Sequence, residues 1–213
     1  MTQRNGFSLI EMLLSLGLLA ILMASAIAFL MDGQKKYVAA VAADEALQNA
    51  RNALESLTSA IRQAGNDPRK TSDDPCHPEH NPCLEGEPIL GSEREITLRA
   101  DLTGSLGDRG DPDCTTQQRF EDLTFRFAPA TRELKMRSGR GRFEPIVQDL
   151  ADVRFEYYQA QADGRLIPAP SPCSIDVVRV TVVPVTPAGD AARLTSQPLR
   201  FAMTVDVHVR SRK

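Results

Sequence analysis

Residues 6–31 of the chain are GFSLIEMLLSLGLLAILMASAIAFLM, an apolar run interrupted by one glutamate. From Phe7 to Met31 there are 25 residues with no proline and one charged side chain, that of Glu11. Such a run exceeds the roughly 18 to 20 apolar residues that a membrane-spanning helix needs. At about 1.5 Å per residue it is about 37 Å long, enough to cross a bilayer with some tilt. The sequence therefore predicts a transmembrane helix over residues 7–31.

The charges before this helix predict its orientation. Residues 1–6 precede it, and their positive charges are Arg4 and the amino terminus. Positive residues stay on the cytoplasmic side, so we expect the N-terminus on the cytoplasmic side of the membrane and the rest of the chain exported. A cleavable secretory signal is the alternative, because Ala24-Ser25-Ala26 has the small-residue form of a cleavage site. Its apolar core would be unusually long, and the helical pattern continues through that site.

This amino-terminal motif resembles the class III signal of type IV prepilins and type II secretion pseudopilins. The likeness rests on Gly6, Phe7 and Glu11, between a short basic leader and an uninterrupted apolar helix. The resemblance implies that prepilin peptidase, a membrane aspartyl peptidase, cleaves after Gly6 and that the new amino-terminal Phe7 is N-methylated. It also implies a leader of residues 1–6. The implied partners are other pilin or minor pilin subunits, bound through the helix, and an inner-membrane assembly platform.

Glu11 needs a partner for a physical reason. A carboxylate within hydrocarbon costs about 2.5–3.5 kcal/mol, so one that persists there is normally paired. Cleavage after Gly6 would create an ammonium group at Phe7, four residues from Glu11 and on the same helical face. In the filaments of the family, the resemblance implies, Glu11 neutralises the amino terminus of an adjacent subunit and sets the axial register. An ordinary signal anchor with a chance glutamate is the alternative.

Helix-forming residues continue over residues 32–65, where an amphipathic continuation of the helix is expected. Asp32 and Gly33 mark the place where a kink is most easily accommodated, and Gly65 and Pro68 supply a C-cap and a stop. Apolar residues at spacings of three and four predict a narrow seam. We expect it to pack on a globular head, because alanine suits close approach to a sheet; a free coiled coil is the alternative. The seam comprises Ala40, Ala43, Leu47, Ala50, Leu54, Leu57, Ile61 and Ala64.

Residues 66–213 are predicted to form a β-rich periplasmic or extracellular head. Residues 66–93 are rich in proline and are predicted to be an irregular loop. Beyond residue 94 apolar and polar side chains alternate, which is typical of half-buried antiparallel strands. The predicted class is therefore α+β: a long N-terminal helix packed on a C-terminal antiparallel β-sheet head, as in type IV pilins. The alternating runs are Ile96–Ala100, Leu123–Phe127, Leu134–Met136, Val153–Tyr157, Val178–Val182 and Phe201–Val209.

All four cysteines lie beyond the membrane helix, where an oxidising periplasm permits disulfides. Cys76 and Cys83 enclose two histidines within residues 66–93, which raises a zinc hypothesis. The order C-H-x-x-H-x-x-C is not a standard zinc-finger spacing, and an adjacent cysteine and histidine fit one tetrahedron poorly. We expect a disulfide that closes this small loop. Cross-pairing with Cys114 or Cys173 is the alternative.

Four aspartates in a glycine-rich turn raise a calcium hypothesis, since calcium favours flexible loops rich in carboxylates. They are Asp101, Asp108, Asp111 and Asp113. Their spacing does not match the D-x-[DN]-x-[DN]-G series of an EF-hand, and a solvated turn is the default expectation. No zinc-protease, serine-hydrolase or P-loop motif occurs, so a non-enzyme without a cofactor is predicted.

The strand order extends the family resemblance to the head. Residues 121–127, 134–137 and 150–157 resemble strands of the minor pilins called PilW, and residues 178–182 resemble a later strand that J-type pseudopilins share. The resemblance implies a minor pilin of a type IV pilus, held in the inner membrane and then built into the pilus. A head longer than that of typical major subunits suggests a priming or tip position, since bulk is easier to accommodate at the end of a filament. A J-type pseudopilin of a type II secretion system is the runner-up.

A binding module is the alternative from another class: an adhesin or DNA-uptake subunit that uses the 66–93 loop or the 101–113 turn. The net charge of −3 gives no support for a nucleic-acid-binding surface overall. Arg137, Arg140 and Arg142 are a local basic cluster that can contact phosphate, but such clusters are usually solvated turns. Binding to nucleic acid is therefore not predicted.

Overall fold

A computed structural model of the chain describes residues 8–67, 87–102, 114–116, 120–185 and 201–209. One long apolar helix comes first, and antiparallel β-sheets follow it. The architecture is α+β and pilin-like, which confirms the predicted fold class. Contacts between Cα atoms divide the chain into two units: residues 8–44 belong to the first, and the described residues from Glu45 onward belong to the second.

Helix α1 runs from Leu9 to Gln63 and is hydrogen-bonded through the predicted kink position. An exposed ion pair joins Lys36 Nζ to Asp32 Oδ2 at 2.8 Å, across one helical turn. The C-cap prediction is confirmed: Gly65 has a φ of +75° and donates its N–H to the Arg99 carbonyl at 2.8 Å. Left-handed backbone at this position favours glycine because a Cβ would be strained there.

The strands form two sheets in which every neighbouring pair is antiparallel. The five-stranded sheet has the order β1-β2-β3-β4-β5, and the four-stranded sheet has the order β7-β6-β8-β9. A short 3-10 helix, Pro172–Ser174, precedes β8. The strand bounds are β1 Ile89–Ser92, β2 Glu95–Arg99, β3 Asp122–Ala128, β4 Glu133–Ser138, β5 Glu144–Val147, β6 Leu150–Ala160, β7 Leu166–Pro168, β8 Val177–Pro184 and β9 Met203–His208.

One core joins both sheets to the C-terminal part of α1. Phe125 of β3 lies opposite Ile96 of β2, and Val180 of β8 lies opposite Phe155 of β6, all of them buried. The period-two pattern of the sequence therefore places one face of each strand inside, because alternate side chains leave a strand on opposite faces. Leu57 and other apolar side chains of α1 complete this core.

The predicted helical seam was correct in its C-terminal part and wrong in its N-terminal part. Ala50, Leu57, Ile61 and Ala64 are buried, as predicted. Ala40 is exposed, and the other predicted members are only half-buried. Ala46 and Ala53 are buried in their place, since their small side chains let the helix approach the sheet while the neighbouring leucines flank the contact. The half-buried members are Ala43, Leu47 and Leu54.

Three strands, β1, β5 and β7, were not predicted, and β1 corrects the prediction of an irregular loop over residues 66–93. All three are short strands at sheet edges. Each contains a residue that weakens a strand signal: Gly91 in β1, Pro145 in β5 and Pro168 in β7. Edge strands tolerate such residues because one of their edges has no ladder to maintain.

The two sheets meet where β6 passes the turn between β1 and β2. Phe155 of β6 donates its N–H to the Glu93 carbonyl at 2.8 Å. The Tyr157 hydroxyl lies 3.0 Å from the Ser92 carbonyl oxygen and donates there. Gly91 makes room for this tyrosine, because a Cβ at Gly91 would overlap the Tyr157 ring and lie 2.9 Å from the Glu95 carbonyl oxygen. Burial raises the pKa of Tyr157 well above its usual range.

Candidate functional site

The first turn of α1 positions Glu11. Glu11 and Met12 donate their N–H groups to the Ser8 carbonyl at 3.0 and 3.2 Å, so Glu11 lies in the first turn of the helix. A carboxylate in the first turn is favoured by the helix dipole. Glu11 is exposed, and no ion pair to it is found in the described parts of the chain. The predicted processing residues Gly6 and Phe7 lie outside the described residues.

The helix surface that follows is apolar and uncovered. Every large apolar side chain from Leu9 to Met31 is more than half exposed. This is the only helix in the described part of the chain that is long and apolar enough to cross a membrane, and none of its most apolar window is buried. Such an exposed apolar surface marks a contact with lipid or with other proteins. These residues therefore require a membrane or partner helices around them.

The hydroxyl groups within this apolar stretch are already satisfied. Ser15 Oγ donates to the Met12 carbonyl at 2.9 Å, and Ser25 Oγ donates to the Leu22 carbonyl at 2.8 Å. Back-bonding of this kind hides serine hydroxyls from hydrocarbon. Glu11 is the one ionisable side chain of residues 8–31, so it is the one that would bring a charge into an apolar environment.

Residues 1–27 match the family described as the prokaryotic N-terminal methylation motif. The match supports a type IV pilin-like protein, anchored in a membrane by its N-terminal helix. Such a motif implies processing by prepilin peptidase and assembly with other pilins, and hence a structural subunit. Comparison with curated proteins finds no match, and comparison with solved structures finds none. The motif covers the start of the chain and is shared by type IV pilins and pseudopilins.

The calcium hypothesis receives no support from the aspartate that the structure describes. Asp101 is buried, and its Oδ2 accepts the N–H of Cys114 at 2.6 Å. Its main chain is also bonded: Asn66 Nδ2 donates to the Asp101 carbonyl at 2.8 Å. Asp101 thus ties together three segments of the head. Among the described residues, no group of three or more acidic, histidine or cysteine side chains could hold a metal ion. The other three aspartates, Asp108, Asp111 and Asp113, lie outside the described residues.

Two of the four cysteines are described, and both Cys114 and Cys173 are disulfide-bonded. A disulfide restricts the unfolded chain and typically contributes about 2–4 kcal/mol. Cys76 and Cys83, with the loop between them, lie outside the described residues, so the expected closure of that loop stays a prediction. Cys173 belongs to the 3-10 helix directly before β8, so its bond anchors the start of a central strand.

The outer face of the five-stranded sheet contains an arrangement that the sequence did not reveal. The guanidinium carbons of Arg126 and Arg137 lie 4.3 and 4.8 Å from the centroid of the Phe143 ring. Arg126 is also paired with Glu95 across β2 and β3, and this hydrogen bond raises the pKa of Arg126. Arg137 Nη2 donates to Thr124 Oγ1 at 3.3 Å.

The basic cluster predicted from residues 137–142 is thus divided by the fold. Arg137 is held against Phe143 and Thr124, whereas Arg140 and Arg142 are exposed in the turn after β4. Cross-strand contacts of this kind join residues that are distant in sequence, so no local spacing signals them. The contact between Arg126 and Phe143 spans the β3–β4–β5 meander and depends on its register.

Proposed function

We propose that the chain is a minor pilin of a type IV pilus. In this proposal prepilin peptidase removes residues 1–6, residues 7–31 form the membrane and filament-core helix, residues 32–65 continue the helix, and residues 66–213 form the head. The head faces the periplasm until an inner-membrane platform moves the subunit into the pilus. We further propose a priming or tip position, because a large head is easier to accommodate at the end of a filament than within it.

The observation that carries the proposal is the uncovered apolar surface of residues 9–31 with Glu11 at its start. In lipid this surface is buried by acyl chains, and in a filament it would be buried by the same surface of sister helices. Transfer of the helix from lipid to the filament therefore hardly changes the apolar area that is exposed to water. The remaining electrostatic demand, that of Glu11, would be met by the methylated amino terminus of a neighbouring subunit. Pairing of two charges in a low-dielectric filament core therefore favours a single axial register.

The motif match supports the wider class of type IV pilins and pseudopilins. A J-type pseudopilin would use the same helix, and so the position of the protein in cells separates the two. A minor pilin at the tip is found in purified pili at very low copy and at their ends. A pseudopilin would be found with the secretion system, and its deletion would stop secretion without loss of pili.

Processing is tested by intact-mass analysis of protein recovered from membranes. The mature chain is expected to begin at N-methylated Phe7, and Gly6→Val is expected to leave the leader attached. Both proteins should insert into the membrane equally, because the apolar helix is unchanged. A wild-type chain that begins at Met1 would refute the proposal.

The role of Glu11 is tested by Glu11→Ala and Glu11→Gln. Incorporation into pili is expected to fall at least about tenfold in both, since loss of one charge pair in a low-dielectric core exceeds about 1.4 kcal/mol. Glu45→Ala is the matched control, because Glu45 is an exposed glutamate of the same helix beyond the apolar stretch. Equal incorporation of the Glu11 and Glu45 variants would contradict the proposed pairing.

A further inference from the structure

Strand β9 forms an open edge of the four-stranded sheet. The strand order ends at β9, and nothing in the part of the chain that the structure describes pairs with its outer side. Its side chains alternate: Val205 and Val207 point into the head, and Thr204, Asp206 and His208 are exposed. Open edges are available for pairing with another strand, and proteins usually block them with proline, charged side chains, a bulge or a cover. β9 contains no proline, its register with β8 has no bulge, and its one carboxylate, Asp206, is paired with Arg179 of β8.

The hydrogen bonds of the sheet show which main-chain groups of β9 point outward. Val209 donates its N–H inward, to the Asp176 carbonyl at 3.0 Å. Register is one-for-one along β8 and β9, so Val207 and Val205 also direct their main-chain groups toward β8. In an antiparallel ladder the intervening residues direct theirs the opposite way. Thr204, Asp206 and His208 therefore present three N–H and three C=O groups to the outside.

Side-chain contacts with β8 hold β9 in this orientation. Arg179 of β8 binds Asp206 with two hydrogen bonds, Nε to Oδ1 at 2.7 Å and Nη2 to Oδ2 at 2.9 Å. The hydroxyls of Thr181 and Thr204 lie 3.1 Å apart in the next cross-strand pair. A strand that is already extended and fixed loses little conformational entropy when another strand binds to it.

A groove lies beside this edge. It has a volume of about 500 Å³, and Val205 of β9 forms one wall. Leu54 and Thr58 of α1 form part of the opposite wall, flanked by Glu55 and Arg62. Both charged side chains are exposed, and neither has an ion-pair partner within the described residues. They lie seven residues apart, about 10 Å along the helix.

We propose that β9 binds an extended segment of another polypeptide as an additional strand of the sheet. The six main-chain groups at the edge would bond its backbone, as in other cases of strand addition. Its alternate side chains would enter the groove: a small apolar residue between Leu54 and Val205, a basic residue near Glu55 and an acidic residue near Arg62. At about 3.3 Å per residue, these two charges would be two to four positions apart in the bound segment. The proposal does not depend on the chain being a pilin.

Two synthetic peptides test it: acetyl-TKTVTET-amide and acetyl-TETVTKT-amide. Both peptides direct a lysine, a valine and a glutamate toward the groove, but the lysine and the glutamate exchange places. The pair therefore covers parallel and antiparallel binding. With the full-length chain in detergent, one peptide is expected to bind at least about tenfold more tightly than the other, as measured by calorimetry. N-methylation of its edge-facing amides is expected to abolish binding. Glu55→Lys combined with Arg62→Glu is expected to invert the preference between the peptides.

A matched pair of variants tests the edge itself. Both Thr204→Pro and Thr204→Ala remove the side-chain hydroxyl. Thr204→Pro also removes one outward N–H and no inward one, whereas Thr204→Ala keeps that N–H. Affinity is expected to fall about tenfold in Thr204→Pro relative to Thr204→Ala. Circular dichroism shows whether both variants fold. If Thr204→Pro does not fold, the binding of the N-methylated peptide to the wild-type chain decides the result.

Equal binding of the methylated and unmethylated peptides would overturn the proposal, as would equal affinities of the two folded Thr204 variants. Failure of both peptides to bind would overturn it too. Dimers that form with Thr204→Ala but not with Thr204→Pro, together with no peptide binding, would assign the edge to a second copy instead.

Discussion

Substitution of Leu57 by alanine tests how the helix is attached to the head. The Leu57 side chain is fully buried in the core that α1 shares with both sheets. The substitution removes three carbon atoms, which corresponds to about 2.4 kcal/mol at about 0.8 kcal/mol each. A residual cavity adds to this, so the free energy of unfolding of the head is expected to fall by about 3–4 kcal/mol. For a unit of this size the melting temperature is expected to fall by roughly 6–16 °C.

The measurement is urea and thermal unfolding of the full chain in detergent, followed by circular dichroism at a β-sheet wavelength. Leu16→Ala is the matched control, since it makes the same change in the same helix at a side chain that is 53% exposed. It is expected to leave the unfolding of the head unchanged. A difference of less than about 0.5 kcal/mol between the two variants would refute the inference that this part of α1 is a core element of the head.

Three further predictions concern the head. Gly91→Ala is expected to destabilise the head by about 1–3 kcal/mol, because the added Cβ would overlap Tyr157. Gly33→Ala is the control and is expected to leave the stability of the head unchanged, because the space around an added Cβ is open there. Equal unfolding curves of the two variants would contradict this. Arg179 lowers the pKa of Asp206, so this pair stabilises the head above about pH 4 and ceases to do so as the pH falls through the lowered pKa. Arg179→Met should remove this acid dependence, which is measured as the free energy of unfolding against pH. Burial raises the pKa of Tyr157, so wild-type stability should fall above about pH 10, and an identical fall in Tyr157→Phe would rule out this cause.

Much of the fold was determined by local spacing in the sequence. The long apolar run specified a membrane helix, and Gly65 specified where the helix ends, because a C-cap needs only one residue with positive φ. Period-two alternation specified six of the strands, since a strand with one buried face repeats every two residues wherever it lies. The motif around Gly6, Phe7 and Glu11 specified the family resemblance, and the match over residues 1–27 supports it.

Other features were decided only by tertiary structure. The short edge strands have no alternation long enough to detect, and they exist because a neighbouring strand supplies their hydrogen bonds. Whether Ala53 or Leu54 would face the core depended on the rotation of the helix against the sheets, because consecutive residues lie about 100° apart around a helix. The open edge of β9 and its groove likewise arise from residues about 150 positions apart, Leu54 and Val205. A sequence fixes contacts within a turn or a strand, whereas contacts between distant segments follow from packing and register.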